Sequence, residues 1–381
     1  MTTDSSSSPH HVVIAGGGVA ALEAMMALRV LAGDRVRITL LAPERDFHYR
    51  PMAVAEPFSL GRARHIALVA IAADFDAQHV AGALAGVEHA EHRVVTHSGR
   101  RIAYDALVIA CGTRMSPAFA GAITIDDLSI GVTLRGLVQD VEEGHTHRIA
   151  FVAPAQAFWP LPLYELALMT AQRAYDMQAS VEISIVSPES APLGLFGAGV
   201  SDALRDRLRD AAIAFHGSSV AERADGGLTL RPGGATLPAD RVVALPLLHG
   251  TQITGVPTDA HGFIPVTDHG EVCGMAGVYA AGDVTAYPIK HGGLAAQQAD
   301  CVAAAIASRA GAPVEPQPLQ PVLQGMLMTG REPLFFEADI GPDGAIGSTV
   351  SDACPWDPST KVAARHLGPY IAHGERYALP A

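Results

Sequence analysis

Three consecutive glycines near the start of the chain have the spacing of a dinucleotide-binding turn. The segment Gly16-Gly17-Gly18-Val19-Ala20-Ala21 fits the pattern G-x-G-x-x-A. In such a turn the first glycine adopts a backbone conformation that other residues avoid, the second lets a pyrophosphate approach the main chain, and the small third residue lets strand and helix pack. The following helix offers unpaired amides and the positive end of its dipole to the phosphates. The segment therefore predicts a dinucleotide site, and a tight turn without a ligand is the alternative.

Glu44 stands about two dozen residues beyond these glycines, near the position of the acid that bonds the adenosine ribose in such sites. We expect its carboxylate to accept hydrogen bonds from the ribose hydroxyls. The preceding strand is expected to end at Ala42, so the acid arrives two residues late. A solvated acid in a loop is therefore the alternative interpretation.

The elements around the glycines alternate between strand and helix. Residues 11–15 are an apolar strand, residues 20–31 have helical composition, and residues 35–41 form the next strand. A strand, a turn, a helix and a second strand are the basic piece of a parallel sheet.

A second copy of this piece follows. Strands at residues 148–153 and 181–186 flank a helix at residues 163–173. The segment RVRITLLAPE at 35–44 is echoed by SVEISIVSPE at 180–189. This echo indicates two related α/β units, unless the two short strands are alike by chance.

Other elements complete the chain. Strands are expected at residues 106–110 and 277–281, and an alanine-rich helix at about 293–307. The proline-rich stretch 313–321 is typical of a linker. The remaining segment, 322–381, carries two strand-like stretches and a helix near Lys361 to Leu367.

The bulk composition indicates a folded globular protein. Of 381 residues, 49% are hydrophobic and 17% are charged, and the formal net charge of −13 opposes attraction to nucleic acid or to an anionic membrane. No apolar run is long enough to span a bilayer, and the polar start, residues 1–8, is expected to be a disordered tail rather than a secretory signal. The four cysteines form no C-x-x-C pair and no metal-type spacing with histidine. We expect free thiols, no metal and a cytoplasmic location.

Two further motifs carry a resemblance to a known family. The segment YDALVIACG at 104–112 resembles the internal A-T-G motif, and GVYAAGD at 277–283 the distal G-D motif, of flavoproteins with two dinucleotide-binding domains. From His11 to about Tyr370 the chain resembles the FAD-dependent pyridine nucleotide-disulfide oxidoreductase family. It is most similar to the branch of sulfide:quinone oxidoreductases, flavocytochrome c sulfide dehydrogenases and type II NADH:quinone oxidoreductases.

The resemblance implies FAD as the cofactor and assigns residues to it. Asp283, after Gly282, would bond the flavin ribityl chain, and the helix that begins near Gly293 and Leu294 would point its amides at the flavin C2 carbonyl. The internal motif would contribute its last three residues, Ala110, Cys111 and Gly112. An aimed helix dipole stabilises the negative charge of reduced flavin, which agrees with this assignment.

Side chains near the flavin follow from the same resemblance. The stretch 290–298 would lie over the flavin and border the quinone pocket, with Lys290 offsetting the charge of reduced flavin and Gln298 contacting an acceptor. Arg50, in the segment 47–51, would lie beside the isoalloxazine. An ordinary capping or surface role is the alternative for each.

The second unit departs from a nicotinamide site. Residues 164–167, YELA, resemble the helical V-E-L-A of NADH-using members and place Glu165 at the shared acidic position, where it is a catalytic candidate. The three glycine positions before it hold Leu163, Pro160 and Phe158. Side chains there block a pyrophosphate, and prolines lack amide donors, so we do not expect NADH to bind in the usual mode.

The cysteines also depart from the sulfide-oxidising members. Those enzymes use one cysteine in the second unit and another in the C-terminal part, yet residues 121–270 contain none. Cys354 is the candidate redox-active thiol of the C-terminal part, and an inert packed thiol is the alternative.

The sequence thus predicts an α/β fold with two Rossmann-like, three-layer dinucleotide-binding domains and a small C-terminal α+β module. We expect an FAD domain from residues 9–120 and 262–312, a second dinucleotide-binding-like domain at 121–261, and the module at 313–381. The expected function is FAD-dependent transfer of electrons from a small reductant, as in sulfide:quinone oxidoreductases, to a quinone-like or soluble acceptor. Alternatives are an NAD(P)H-dependent reductase of the type II NADH dehydrogenase kind and a non-catalytic flavin-binding protein. Membrane contact is expected to be peripheral at most, and the oligomeric state stays open.

Overall fold

The amino-terminal glycine turn joins the first strand and first helix of a parallel sheet. The computed structural model describes residues 8–126, 130–342 and 344–373, so the tail expected at 1–8 lies outside it except for Ser8. The strands are β1 (His10–Ala15), β2 (Val36–Ala42), β3 (Asp46–His48), β4 (His65–Ala67), β5 (Ala77–Ala81), β6 (Leu84–Glu88), β7 (Arg93–Thr96), β8 (Arg101–Ala103), β9 (Ala106–Ile109), β10 (Thr113–Ser116), β11 (Ile123–Thr124), β12 (Arg148–Val152), β13 (Glu182–Val186), β14 (Ile213–His216), β15 (Val220–Ala224), β16 (Gly227–Arg231), β17 (Ala235–Pro238), β18 (Arg241–Ala244), β19 (Leu247–Gly250), β20 (Val278–Ala280), β21 (Val322–Leu327), β22 (Leu334–Gly341) and β23 (Gly344–Ser351). The helices are α1 (Val19–Ala32), α2 (Leu68–Asp74), α3 (Ile130–Glu142), α4 (Leu161–Asp176), α5 (Ala198–Asp210), α6 (Gly292–Arg309) and α7 (Leu367–His373), with 3₁₀ segments at Gly33–Arg35, Arg50–Phe58 and Gly194–Phe196.

The first sheet has the strand order β20-β9-β1-β2-β5, and all its strands are parallel. Ala15, the last residue of β1, pairs with Leu41 on one side and Ile109 on the other. Helices α1 and α6 pack closely against each other on this sheet. Because the carboxyl ends of parallel strands meet at one edge, the glycine turn, the segment after β9 and the segment after β20 lie together there.

The second sheet repeats this arrangement with the order β11-β18-β12-β13-β14, again parallel. Strand β13 lies beside β12 as β2 lies beside β1, so the two echoed segments occupy equivalent places. The predicted fold class, α/β with two Rossmann-like units, is confirmed. The first sheet takes strands from residues 10–109 and 278–280, and the second from residues 123–244. The division into domains at 120, 261 and 312 stays a prediction.

Smaller antiparallel pairings connect the two sheets and extend them. Strand β10 pairs with β19, which joins the segment after β9 to the segment after β18. The others are β3 with β4, the three-stranded sheet β6-β7-β8 and the three-stranded sheet β15-β16-β17.

The C-terminal module differs from the prediction. It has three antiparallel strands, β21 to β23, where two were expected, and they pack on α4, on α5 and on the 3₁₀ segment at Gly194–Phe196. The helix expected near 361–367 is misplaced, because α7 begins only at Leu367. The residues before it are held in non-helical contacts, since Lys361 pairs with Glu165 and the Val362 amide donates to the Tyr49 hydroxyl at 2.8 Å. We call residues 361–373 the C-terminal strap.

No helix in the residues that the structure describes combines the length and the apolar character needed to cross a membrane.

Candidate active site

A cavity of about 790 Å³ opens at the carboxyl edge of the first sheet and extends to the second unit and the C-terminal module. The cofactor candidates that line it are Gly16, Gly18, Val19, Ala20, Glu44, Arg50, Ala110, Cys111, Gly112, Gly282, Asp283 and Lys290. Ala21, Gly293 and Leu294 lie outside its lining. Of the catalytic candidates, Lys290 and Glu165 line the cavity, whereas Cys354 does not. The fold therefore gathers residues from the first, second and third parts of the chain around one space.

The glycine turn is shaped for a close approach of the main chain. Gly16 has φ +140°, and a Cβ at this residue would lie 2.2 Å from the carbonyl oxygen of Ala110. A Cβ on Gly18 would meet nothing within 4 Å, so this residue faces open space in the cavity. No side chain caps the N-terminus of α1, and its first turn holds no acid. The unpaired amides and this space fit a pyrophosphate.

Glu44 reaches back toward the glycine turn although it follows the end of β2. Its Oε2 lies 3.5 Å from the place that a Cβ on Gly17 would take. The side chain is exposed at the cavity rim. The acid is therefore placed to contact a group held at the turn.

The three candidates outside the lining support it from behind. Ala21 is fully buried between α1 and the sheet, and Leu294 is 1% exposed. A side chain on Gly293 would come within 2.8 Å of the His291 ring. Gln298, expected to contact an acceptor, also lies outside the lining.

Lys290 is a buried cation in the cavity wall. Its Nζ donates to the Thr285 carbonyl and lies 3.9 Å from the ring centroid of Phe263 and 5.5 Å from that of Phe158. Desolvation lowers the pKa of Lys290 to about 8, against the attraction of Asp283 and Asp259. The side chain can therefore present a positive charge or donate a proton near neutral pH.

The second unit closes the cavity with aromatic rings where the first unit has glycines. Phe158 and Trp159 line the cavity, and Trp159 lies against His291 with ring centroids 4.2 Å apart. The residue before α4 is Pro160, and Pro162 is inside its first turn, so neither supplies an amide. Leu163 is fully buried. This helix start therefore lacks the glycines and two of the amides that a pyrophosphate would use.

His291 caps α6 and is neutral. Its Nδ1 accepts a hydrogen bond from the Leu294 amide at 3.4 Å, so the ring proton is on Nε2. Burial lowers the pKa of His291 to about 4. The ring therefore contacts Trp159 of the second unit as an uncharged, tilted aromatic partner.

Glu189, which follows β13 at the position that Glu44 has after β2, is hydrogen-bonded to other side chains of the second unit. Glu189 accepts hydrogen bonds from the Tyr164 hydroxyl at 2.7 Å and from the Ser187 hydroxyl at 3.0 Å. Burial raises the pKa of Glu189. Because this acid holds α4 to β13, its first role is structural.

Glu165 and Lys361 form a buried ion pair in the cavity lining. The carboxylate Oε1 also accepts the Met328 amide at 2.9 Å, and Oε2 has no partner within the described residues. Burial raises the pKa of Glu165 against the attraction of Lys361. Sequence reasoning identified Glu165 but missed Lys361, because no local motif marks a lysine that reaches the site from the strap.

The thiols do not form a pair at the cavity. Of the four free cysteines only Cys111 lines it. Its Sγ donates to the Ala15 carbonyl at 3.4 Å, and burial together with the charge of Glu44 raises the pKa of Cys111 to about 12. Cys354 instead donates to the Trp356 carbonyl at 3.2 Å in the segment before the strap.

Comparison with known proteins adds a family. The model of the pyridine nucleotide-disulphide oxidoreductase family matches residues 10–146 and 164–306. No curated protein matches the sequence.

Several solved structures share the fold. A sulfide:quinone oxidoreductase from the hyperthermophilic bacterium Aquifex aeolicus superposes with a TM-score of 0.79 at 20% identity, over 90% of this chain and 86% of that one. A ferredoxin reductase for the CYP199A2 system of Rhodopseudomonas palustris superposes with a TM-score of 0.67 at 21% identity, over 87% of this chain and 83% of that one. NDH2 of Plasmodium falciparum in complex with NADH superposes with a TM-score of 0.58 at 13% identity, over 72% of this chain and 64% of that one. At these identities the likeness shows the shared fold.

Proposed function

The chain belongs to the pyridine nucleotide-disulphide oxidoreductase family, and from this premise we propose that it passes electrons from a small reductant to a quinone or another acceptor. The resemblance found in the sequence is confirmed at the level of the family, and the chain is an FAD-binding oxidoreductase. The donor and the acceptor are the proposal. The sulfide:quinone oxidoreductase among the structural relatives supports a donor of sulfide size.

The residues proposed to hold FAD are those of the first unit that line the cavity. Gly16, Gly18 and the amides that begin α1 would bind the pyrophosphate, and Glu44 would bond the adenosine ribose. Asp283 would bond the ribityl chain, and Arg50 would lie beside the ring. When bound, FAD supplies the acceptance and release of two electrons.

Lys290 is proposed to balance negative charge in the cavity. The Lys290 ammonium is buried near Asp283 and has a pKa of about 8, so it is mostly protonated at neutral pH. A buried charge acts strongly on its neighbours because little water screens it. Lys290 would therefore favour the reduced, negatively charged state of a flavin bound beside it.

The start of α4 is the observation that carries the choice of donor. Phe158, Trp159 and Pro160 stand where a nicotinamide cofactor would need glycines and free amides. The acid of this unit, Glu189, is bonded to Tyr164. Both features support a donor smaller than NADH that reaches the flavin without using the second unit as a nucleotide site.

The apolar part of the cavity lining supports an acceptor with an apolar ring. It includes Ala53, Val54, Ile130, Leu161, Met326 and Val362. In the same lining, the unpartnered Oε2 of Glu165 is an acceptor for a hydroxyl and a holder for a proton, with Lys361 as the neighbouring donor. A cavity that combines apolar side chains with a proton-exchanging pair suits the reduction of a quinone.

Anaerobic stopped-flow mixing tests the donor. We expect sulfide to bleach the bound flavin within a turnover time and NADH to leave it oxidised over the same period. Rapid bleaching by NADH, with none by sulfide, would overturn the proposal and favour a reductase that binds nicotinamide by an unusual route. The NADH complex among the structural relatives, and the YELA segment, make this the second candidate.

Half-reactions test the role of Glu165. In Glu165→Gln we expect flavin reduction by the donor at the normal rate and reoxidation by a soluble quinone at least about tenfold slower, because removal of a general acid or base costs 10²–10⁴-fold at most sites. The matched control is Glu189→Gln, a second acid of the same unit outside the cavity. Equal reoxidation rates in the two variants would remove Glu165 from the acceptor step.

A yellow protein that resists every donor yet is reduced by dithionite would be a non-catalytic flavin binder.

A further inference from the structure

Gln298 lies behind the Gly282-Asp283 turn rather than in the cavity. It belongs to α6, its side chain is buried with the residue 8% exposed, and the cavity does not reach it. Its Oε1 accepts the Gly282 amide at 2.7 Å, and both partners are buried. The contact with an acceptor that the sequence suggested is thus replaced by a contact with the backbone.

The Gly282 amide needs this partner because it is the first to leave the sheet. The Ala281 amide still donates to the Ile109 carbonyl at 3.1 Å, as the last bond of the β20 pairing. At Gly282 the chain turns into the left-handed region with φ +79°. A buried amide without an acceptor is destabilising, and no main-chain carbonyl within the described residues accepts from the Gly282 amide.

The turn is also held from its carbonyl side. The Thr285 hydroxyl donates to the Gly282 carbonyl at 2.9 Å, and Lys290 donates to the Thr285 carbonyl. Helices α1 and α6 enclose the same residue, since a Cβ on Gly282 would lie 3.0 Å from Ala20 Cβ and 3.4 Å from Ala295 Cβ. The Gly282 amide and carbonyl are therefore both hydrogen-bonded, and its Cα is packed between α1 and α6.

We propose that Gln298 is a positioning residue for FAD, acting through the Gly282 amide to fix where Asp283 stands in the cavity wall. Asp283 follows Gly282 directly and lines the cavity. A change in the peptide plane of Gly282 would rotate the next Cα and displace the Asp283 carboxylate. The effect on the cofactor is thus indirect and passes through one hydrogen bond.

The neighbouring glutamine supplies a matched control. Gln297 makes two bonds of the same kind to Val322, accepting its amide at 2.9 Å and donating to its carbonyl at 2.8 Å. These bonds hold β21 of the C-terminal module to α6 and do not touch the turn. The same substitution at the two adjacent positions therefore separates loss of a hydrogen-bonded glutamine of α6 from loss of the contact with the turn.

The experiment compares Gln298→Met with Gln297→Met, since methionine has a similar volume and no strong acceptor. We expect FAD titrated into apoprotein, followed by flavin fluorescence, to bind Gln298→Met about tenfold more weakly or worse, and Gln297→Met within about threefold of the wild type. The visible circular dichroism of bound FAD should change only in Gln298→Met. Gln298→Glu, which keeps an oxygen in the same place, should recover most of the affinity.

Thr285→Val gives a second test at the same turn, because the Thr285 hydroxyl donates to the Gly282 carbonyl at 2.9 Å and lies 3.4 Å from Gln298 Oε1. It should also weaken FAD binding, with the melting temperature of the apoprotein near that of Gln297→Met. Equal FAD affinity in Gln298→Met and Gln297→Met would overturn the proposal, as would a Gln298→Met protein that binds FAD like the wild type. None of these outcomes depends on which donor or acceptor the enzyme uses.

Discussion

Lys361 and Glu165 form an ion pair in the cavity wall although 196 positions separate them in the sequence. Their side chains are 6% and 0% exposed, so water screens the pair only slightly. Glu165 belongs to α4, and Lys361 begins the C-terminal strap. One charged contact therefore fixes the strap to the second unit at the point where both line the cavity.

Lys361→Met should destabilise the protein by about 3 kcal/mol, because it leaves a buried carboxylate without its counter-charge. The double variant Glu165→Leu with Lys361→Met should recover more than half of that loss, since two apolar groups need no pairing. Urea unfolding of the apoproteins at pH 7 measures both. A loss below about 0.5 kcal/mol in the single variant would mean that Glu165 is already protonated in the folded protein.

A second pair of acids lies between α1, α6 and the C-terminal strap. Glu23 of α1 accepts the amides of His366 and Leu367 at 2.8 and 2.7 Å, and Asp300 of α6 faces His366 at 3.8 Å. Burial raises the pKa of Glu23 to about 7 and, together with the charge of Glu23, that of Asp300 to about 8. Arg365 opposes both shifts. The strap therefore docks on two carboxyl groups that favour their protonated form.

These shifts predict a stability that falls as the pH rises from about 6.5 to 8. In this range the folded protein keeps protons on Glu23 and Asp300 that the unfolded chain has released, so the unfolding free energy has a negative slope against pH. Asp300→Asn removes one of these protons and should flatten the slope, making the variant more stable than the wild type at pH 8 by about 1 kcal/mol or more. Parallel slopes for the two proteins in urea unfolding would contradict this prediction. The lowered pKa of His366 acts below this range.

Alanine at the two ends of the glycine turn should have different effects. Gly16→Ala places a Cβ against the Ala110 carbonyl at an unfavourable φ and should lower the unfolding free energy of the apoprotein by about 2 kcal/mol. Gly18→Ala has room for its Cβ, so it should change the unfolding free energy by less than about 1 kcal/mol. It should nevertheless weaken FAD binding, because the methyl group projects toward the phosphate space. Thermal melts of apoprotein with a parallel FAD titration distinguish the two. Unimpaired FAD binding in Gly18→Ala would show that the phosphates lie elsewhere.

Cys354→Ser should leave the rate of flavin reduction by sulfide within about twofold of the wild type, a difference of roughly 0.4 kcal/mol in the barrier. The thiol lies outside the cavity lining and is bonded to the Trp356 carbonyl. Cys273→Ser, at an exposed cysteine, is the control. Loss of sulfide-driven reduction in Cys354→Ser alone would bring this thiol into the electron path.

The two α/β units could be predicted from patterns among residues that are close together in the sequence. The turn at Gly16, the strand before it and the helix after it are encoded by neighbouring residues, and the β2 and β13 segments repeat one another. The strands at 106–109 and 278–280 carry motifs whose family resemblance places them in the first sheet, and the confirmed fold has them there. These features need no knowledge of distant contacts.

What could not be predicted depends on contacts between distant residues. Residues 361–366 have helical composition, yet the pairing of Lys361 with Glu165 and of Val362 with Tyr49 holds them in another conformation. The two glutamines of α6 look alike in sequence, and only the fold assigns one to the turn and the other to β21. Tertiary contacts of this kind override local propensity.

The position of β20 in the first sheet governs the order in which the protein can be made. As the ribosome releases the chain, the glycine turn emerges early, but Asp283 and α6 follow only after the whole second sheet has been synthesised. Helix α7, which docks on Glu23 of α1, emerges later still. A nascent chain therefore completes its cofactor cavity only after Lys361 and Val362 have been synthesised, and we expect the flavin to be loaded after that point.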